Sequence, residues 1–105
     1  IHADGLFFLG FPLHAKGAPD QPDIEALYRL TSSMLFLQGS NDPRCQLDVL
    51  RRSLSRVGAP TILRIFEGAN GSLLKSGQSE GERLGNYRAA SRIIAEWMED
   101  ILDEA

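Results

Sequence analysis

Two runs of four apolar residues, Leu6-Phe7-Phe8-Leu9 and Met34-Leu35-Phe36-Leu37, constrain this chain more than any other feature in it. Each is stopped within two residues by a glycine, Gly10 and Gly39. A strand with one wet face alternates apolar and polar residues, whereas a strand apolar at every position is covered on both faces. Strands of that kind belong to parallel sheets, and parallel neighbours are joined by crossover connections that are usually helices. The first run reads as a central strand, and the sheet is expected to continue beyond this chain.

The intervals between strands carry the expected connections. Residues 12–22 hold three prolines and Gly17 and read as an ordered loop, followed by a short helix with Ile24, Leu27 and Tyr28 at helical spacing. After the second run, Leu47, Leu50, Leu54 and Val57 share one helix face, with Gly58 as a left-handed stop and Pro60 beyond it. Thr61–Phe66, rich in β-branched and aromatic residues, is the third strand. Residues 70–85 form a flexible polar loop with four glycines. Tyr87, Ala90, Ile93, Ile94, Trp97 and Ile101 then mark the apolar stripe of a closing helix. Glu99, Asp100, Asp103 and Glu104 oppose the macrodipole at its carboxyl end, so its last turn is expected to fray.

The order β-α-β-α-β-α with right-handed crossovers is an α/β fold, a three-layer αβα arrangement around a parallel sheet. At 105 residues the chain, 1–105, holds one domain. Three strands make a narrow sheet whose first edge must be covered. The partner expected there is a protein: amino-terminal strands preceding Ile1, another subunit, or a copy of the chain itself. The chain begins at Ile1 rather than Met, which fits the first of these.

Charge and cysteine content narrow the function classes. Fourteen acidic against eleven basic residues give a net charge of -3, and no basic run exceeds Arg51-Arg52, so direct nucleic-acid binding is not expected. No apolar run approaches a membrane span. The single Cys45 cannot form an intrachain disulfide, which points to a reducing, intracellular compartment without distinguishing cytoplasm, nucleus or mitochondrial matrix. Two separated histidines and one cysteine make no metal-ligand pattern, and no cofactor is expected.

In open parallel sheets the chemistry sits just beyond the carboxyl ends of the strands. The segment Gln38-Gly39-Ser40-Asn41-Asp42-Pro43 ends a buried strand in a glycine turn with an acid three residues on. That is where a Ser-His-acid hydrolase carries the carboxylate that orients its histidine. Asp42 reads equally well as the cap of the next helix, with Pro43 at its first position.

Taken together, Leu9-Gly10-Phe11-Pro12-Leu13-His14, Leu35-Phe36-Leu37-Gln38-Gly39-Ser40-Asn41-Asp42 and Phe66-Glu67-Gly68-Ala69-Asn70 resemble the carboxyl-terminal half of an α/β-hydrolase. The branch resembled is the dienelactone-hydrolase-like group, which includes testis-expressed hydrolase-like proteins and a subunit of the nonspecific-lethal chromatin complex. The resemblance runs from about Gly5 onward. It implies that the three strands are the last three of an eight-stranded sheet, with Asp42 in the acid position and Phe11, His14 and Asn70 lining the substrate cleft. The departures are as informative. The family's histidine follows the last strand, and there this chain has Asn70-Gly71-Ser72, with Gly71 where the histidine belongs. Glycine cannot accept the nucleophile's proton. His2 and His14 are the other histidines, and neither stands at that position.

Gly77-Gln78-Ser79-Glu80-Gly81 matches the nucleophile-elbow string, but it follows a polar loop and comes after the acid, with no histidine downstream. Asn70-Gly71-Ser72 reads as a tight turn. Cys45 lies near a helix start, where a dipole lowers a thiol pKa, although inert half-burial is the commoner state of a free cysteine.

The leading expectation is a non-catalytic hydrolase-like domain acting as a structural or interaction module. The alternative is a serine hydrolase of ester, thioester or amide bonds, completed by strands preceding Ile1. A third is a small-molecule binding module using the cleft around Phe11, Asp42 and Asn70.

Overall fold

The computed structural model describes residues 4–104, so His2 lies outside the described residues. The element order is β1 (Gly5–Leu9), α1 (Glu25–Tyr28), β2 (Ser33–Gly39), α2 (Leu47–Leu54), β3 (Thr61–Phe66) and α3 (Glu80–Glu104). The strands lie in one sheet in the order β1-β2-β3, and both pairings are parallel. Register places Phe7 beside Leu35 and Leu35 beside Ile62, so alternate rows point to opposite faces.

One face carries Leu6, Phe8, Met34, Phe36 and Leu63. It packs under the loop after β1 and under α1 and α2, through Leu13, Ile24, Leu27, Val49 and Leu50. Phe8 stacks on Phe36 with ring centroids 4.8 Å apart, and Phe11 meets both edge-on. The other face carries Leu35 and Leu37 beneath Leu73, Ala90 and Trp97, with Ile93, Ile94 and Ile101 alongside. Helices on both faces of a parallel sheet make the three-layer α/β architecture that the apolar runs demand.

The two runs differ in one respect that the sequence does not distinguish. β2 is buried from Met34 through Gly39, whereas β1 alternates, with Phe7 46% and Leu9 53% exposed. Within the described residues β2 lies between β1 and β3, and the central position expected of β1 refers to a sheet that continues beyond this chain. A strand needs neighbours on both sides as well as helices on both faces to be sealed, and among the described residues β1 pairs with β2 alone.

Three other boundaries shift. α2 ends at Leu54 with Ser55 as a right-handed cap, and Gly58 does not adopt a left-handed φ. The polar stretch 70–85 is loop only through residue 79, because α3 starts at Glu80. At the far end α3 continues through its acidic residues to Glu104. Trp97 and Ile101 crowd against Gly5, an apolar anchor that outweighs the unfavourable dipole there.

Two glycines hold the strand ends together. A Cβ on Gly10 would strike the carbonyl oxygen of Gly71, and one on Gly39 would strike those of Ala69 and Asn70. The 69–71 backbone thus crosses directly over the ends of β1 and β2, and Gly10 also takes a positive φ of 72°. Gly39→Ala is expected to destabilise the fold by about 2–3 kcal/mol through backbone overlap. Gly58→Ala, with nothing within 4 Å and no left-handed φ, is expected to stabilise by about 0.5 kcal/mol. Urea unfolding of the two variants checks the contrast.

Candidate functional site

The turn after β2 is organised by Asp42. Its Oδ1 accepts the Arg44 backbone N–H at 2.9 Å, and the Cys45 N–H donates to its carbonyl at 3.2 Å. α2 begins only at Leu47, preceded by Gln46, so Asp42 closes this turn rather than capping the helix. The second oxygen, Oδ2, accepts from Nε2 of Gln38 at 2.9 Å. Gln38 is fully buried at the end of the apolar run. Its amide also donates to the Gly39 carbonyl and accepts the Phe11 N–H at 2.9 Å, which ties the loop after β1 to the acid after β2. Gln38 is the residue that reading the sequence for chemistry passed over. Its signal was there, since a polar residue closing an otherwise all-apolar strand must find buried partners.

The carboxylate held in this way faces Gly71. An ideal Cβ on Gly71 would lie 3.0 Å from Asp42 Oδ2 and 3.5 Å from Oδ1. Gly71 does not take a left-handed φ, so its backbone accepts a side chain, and the three atoms nearest the added Cβ all belong to the Asp42 carboxylate, which would have to shift by a few tenths of an ångström. Leu73 takes a positive φ of 62°, as Gly68 and Gly77 do in the same loop, and its side chain is buried against Leu35 and Leu37. Residues 70–73 form the expected tight turn, in which the Leu73 N–H donates to the Asn70 carbonyl at 3.0 Å. The Asn70 side chain reinforces it: its Oδ1 accepts the N–H groups of Ser72 at 2.8 Å and Leu74 at 3.2 Å. The Leu73 carbonyl accepts from the Asn86 amide of α3 at 2.7 Å.

His14 is buried, and both ring nitrogens are engaged. Nε2 accepts the Gln46 backbone N–H at 3.0 Å, so Nδ1 carries the proton and donates to the Ala15 carbonyl at 2.8 Å. The imidazole pins the loop after β1 to the entry of α2. His14 and Asp42 together line a cavity of about 540 Å³ with Lys16, Asn41 and Gln46. Asn70 lines a neighbouring cavity with Lys75 and Arg83. Phe11 lines neither, because its ring packs into the core on Phe8 and Phe36. Of the expected cleft residues, His14 and Asp42 line one cavity, Asn70 lines the neighbouring one that shares Asn41 with it, and Phe11 reaches them through its backbone N–H.

Cys45 is buried, and burial pushes its thiol up to about 12, with the Asp42 charge adding to the shift. No thiolate forms near neutrality, so the helix start does not activate it. Ser79, in the elbow-like string, is the cap of α3. Its hydroxyl accepts the Glu82 N–H at 3.2 Å, while Glu82 Oε1 accepts the Ser79 N–H at 3.1 Å. The string Ser79-Glu80-Gly81-Glu82 is a capping box, a pattern legible in the sequence beside the misleading one. Among the described residues no His, Cys, Asp and Glu cluster is placed to hold a metal ion, and no helix is long and apolar enough to cross a membrane.

A parallel sheet under helices on both faces, with a buried amide aiming an acid across the strand ends, defines a class before it defines a member. A family model for the alpha/beta hydrolase domain matches residues 1–99, and the chain belongs to that family. No solved structure matches it significantly.

Two outcomes test this local chemistry. Native protein is expected to resist alkylation of Cys45 by iodoacetamide at pH 8 and to react fully once unfolded, as read by mass spectrometry. The Ser79 hydrogen bonds hold the Glu82 carboxyl below its ordinary value. Their stabilisation is complete above the unfolded carboxyl pKa of about 4.3 and is lost as pH falls through the lower folded value. Glu82→Gln, which removes the charge that these bonds stabilise, should therefore lower Tm more at pH 7 than at pH 2.

Proposed function

We propose that this alpha/beta hydrolase domain is a non-catalytic member of its family, of the dienelactone-hydrolase-like branch, acting as a structural or interaction module. In this reading Asp42 holds the acid position and Gly71 stands where the histidine would receive the nucleophile's proton. The observation that supports it is the 3.0 Å approach of Asp42 Oδ2 to the Cβ direction of Gly71. The carboxylate is aimed at a residue with no group to orient. His14 does not substitute, since it is buried with both nitrogens occupied by Ala15 and Gln46. Without a general base the serine of such a site is not activated, and only oxyanion and binding contacts would remain.

The serine-hydrolase reading keeps one argument in its favour: both Asp42 oxygens are anchored, so the acid is already oriented. Hydrolysis of an activated small ester separates the two. The expected result is no turnover above background, unchanged in Asp42→Ala; turnover that vanishes in Asp42→Ala overturns the non-catalytic reading. A second measurement addresses the acid position itself. In Gly71→His the new imidazole should titrate above the ordinary histidine range by NMR, because the Asp42 carboxylate favours its charged form. Asp42→Asn should remove that shift, and an unshifted imidazole in Gly71→His means that Asp42 does not face the histidine position.

A further inference from the structure

β3 has β2 on one side, and its other edge is bare among the described residues. In the parallel ladder the Met34 N–H donates to the Pro60 carbonyl at 2.9 Å, and the Ser40 N–H to the Phe66 carbonyl at 3.1 Å. The register between those two bonds turns the backbone groups of Ile62 and Arg64 toward β2 as well, and so turns those of Thr61, Leu63 and Ile65 outward. None of these three has a backbone partner among the described residues. The chain that follows β3 leaves the edge uncovered, because α3 packs back on β1 and β2.

The edge also has shape and charge. Thr61, Leu63 and Ile65 point to the α2 face, where they form a groove of about 300 Å³ with Arg51, Leu54 and Ser55. On the opposite face of β3, Ile62 is 44% exposed and Arg64 is exposed two residues on. Each face of the strand thus offers an apolar surface and an arginine. No acidic residue lines the groove, although the chain as a whole carries a net charge of -3. The acids nearest in sequence are Asp48, three residues before Arg51, and Glu67, just beyond the strand end, and neither lines it.

We propose that the outer edge of β3 takes up an extended acidic segment of a partner protein as an added strand, with its apolar side chains in the α2 groove and its carboxylates on the face of Arg64. The outward backbone groups of Thr61, Leu63 and Ile65 supply the main-chain bonds, and the two faces supply the specificity. Side chains of a strand alternate between faces, so a segment of about five residues that alternates apolar and acidic matches the edge from Thr61 to Ile65. Arg51, in the groove, adds a second positive charge from the other face. Charge selects the partner. A second copy of the chain would bring two more arginines to an edge that already carries two, whereas an acidic segment places an opposite charge directly across the strand. The edge gives the interaction role proposed above its surface and rests on that reading.

The test is NMR titration of the isotope-labelled native chain with a blocked hexapeptide alternating valine and glutamate, and with its valine-lysine counterpart. The amides of Thr61, Leu63 and Ile65 are expected to shift and to gain exchange protection with the first peptide, which should bind about tenfold more tightly than the second. Arg64→Glu, an exposed change, should invert that preference. Thr61→Pro removes an outward N–H that β2 does not use, so it should weaken binding about fivefold with unchanged circular dichroism. Unshifted β3 amides at about 1 mM peptide, equal binding of the two peptides, or a preference that Arg64→Glu leaves unchanged overturns the proposal. So does protection of the same three amides before any peptide is added, if it rises with chain concentration, because a second copy then holds the edge. The ester assay with Asp42→Ala is a separate readout, so failure of the non-catalytic reading and failure of this edge are told apart.

Discussion

The backbone of residues 69–71 passes so close over the carboxyl ends of β1 and β2 that neither strand can carry a side chain where it stops. Everything at that end of the sheet depends on this crossing. The Asn41 N–H reaches the Ala69 carbonyl at 2.8 Å, the Ser40 N–H reaches the Phe66 carbonyl, and the Gly68 N–H reaches the Ser40 hydroxyl at 2.7 Å. The turn carrying Asp42 and the loop carrying Gly71 are thereby set side by side, although they follow different strands. Had either glycine a Cβ, the loop would lift and the acid would face solvent instead of Gly71. The geometry of the site is thus a consequence of two absent side chains at strand ends.

Buried Gln38 does the complementary task from below. An amide sealed at the end of an apolar strand must place its donors and its acceptor. It does so among Phe11, Gly39 and Asp42, joining the segments that follow β1 and β2. His14 repeats the logic one layer further out, bonding the loop after β1 to the entry of α2. Together they make the cavity wall around Asp42 a cross-linked surface.

Element order, parallel pairing and helices on both faces were legible because binary patterning carries them: apolar runs for strands, helical spacing between them. The partial exposure of β1 was not, because Leu6-Phe7-Phe8-Leu9 is as apolar as the buried run in β2. The Gly58 stop failed for a similar reason. A glycine beyond an apolar face resembles a cap, but α2 stops where its packing stops, at Leu54. At the site, the placement of Asp42 just beyond a strand end could be read, whereas the direction of the Asn70 and Phe11 side chains could not. Asn70 closes its own loop, and the Phe11 ring turns into the core while only its backbone joins the site. Those outcomes depend on side-chain direction, which residue spacing does not encode.

The anchoring of Asp42 bears on how a carboxylate without an imidazole is to be understood. One oxygen closes the turn through the Arg44 N–H, and the other receives the buried Gln38 amide. Removing the carboxylate would leave a fully buried donor with one partner fewer, a cost of about 1–3 kcal/mol. Asp42 therefore has a reason to be an acid that does not depend on catalysis. The same two bonds that would orient a triad acid also hold the strand ends together. An acid beside Gly71 is thus by itself no sign of chemistry there, and the discriminating property is the response of turnover to Asp42, not the presence of Asp42 itself.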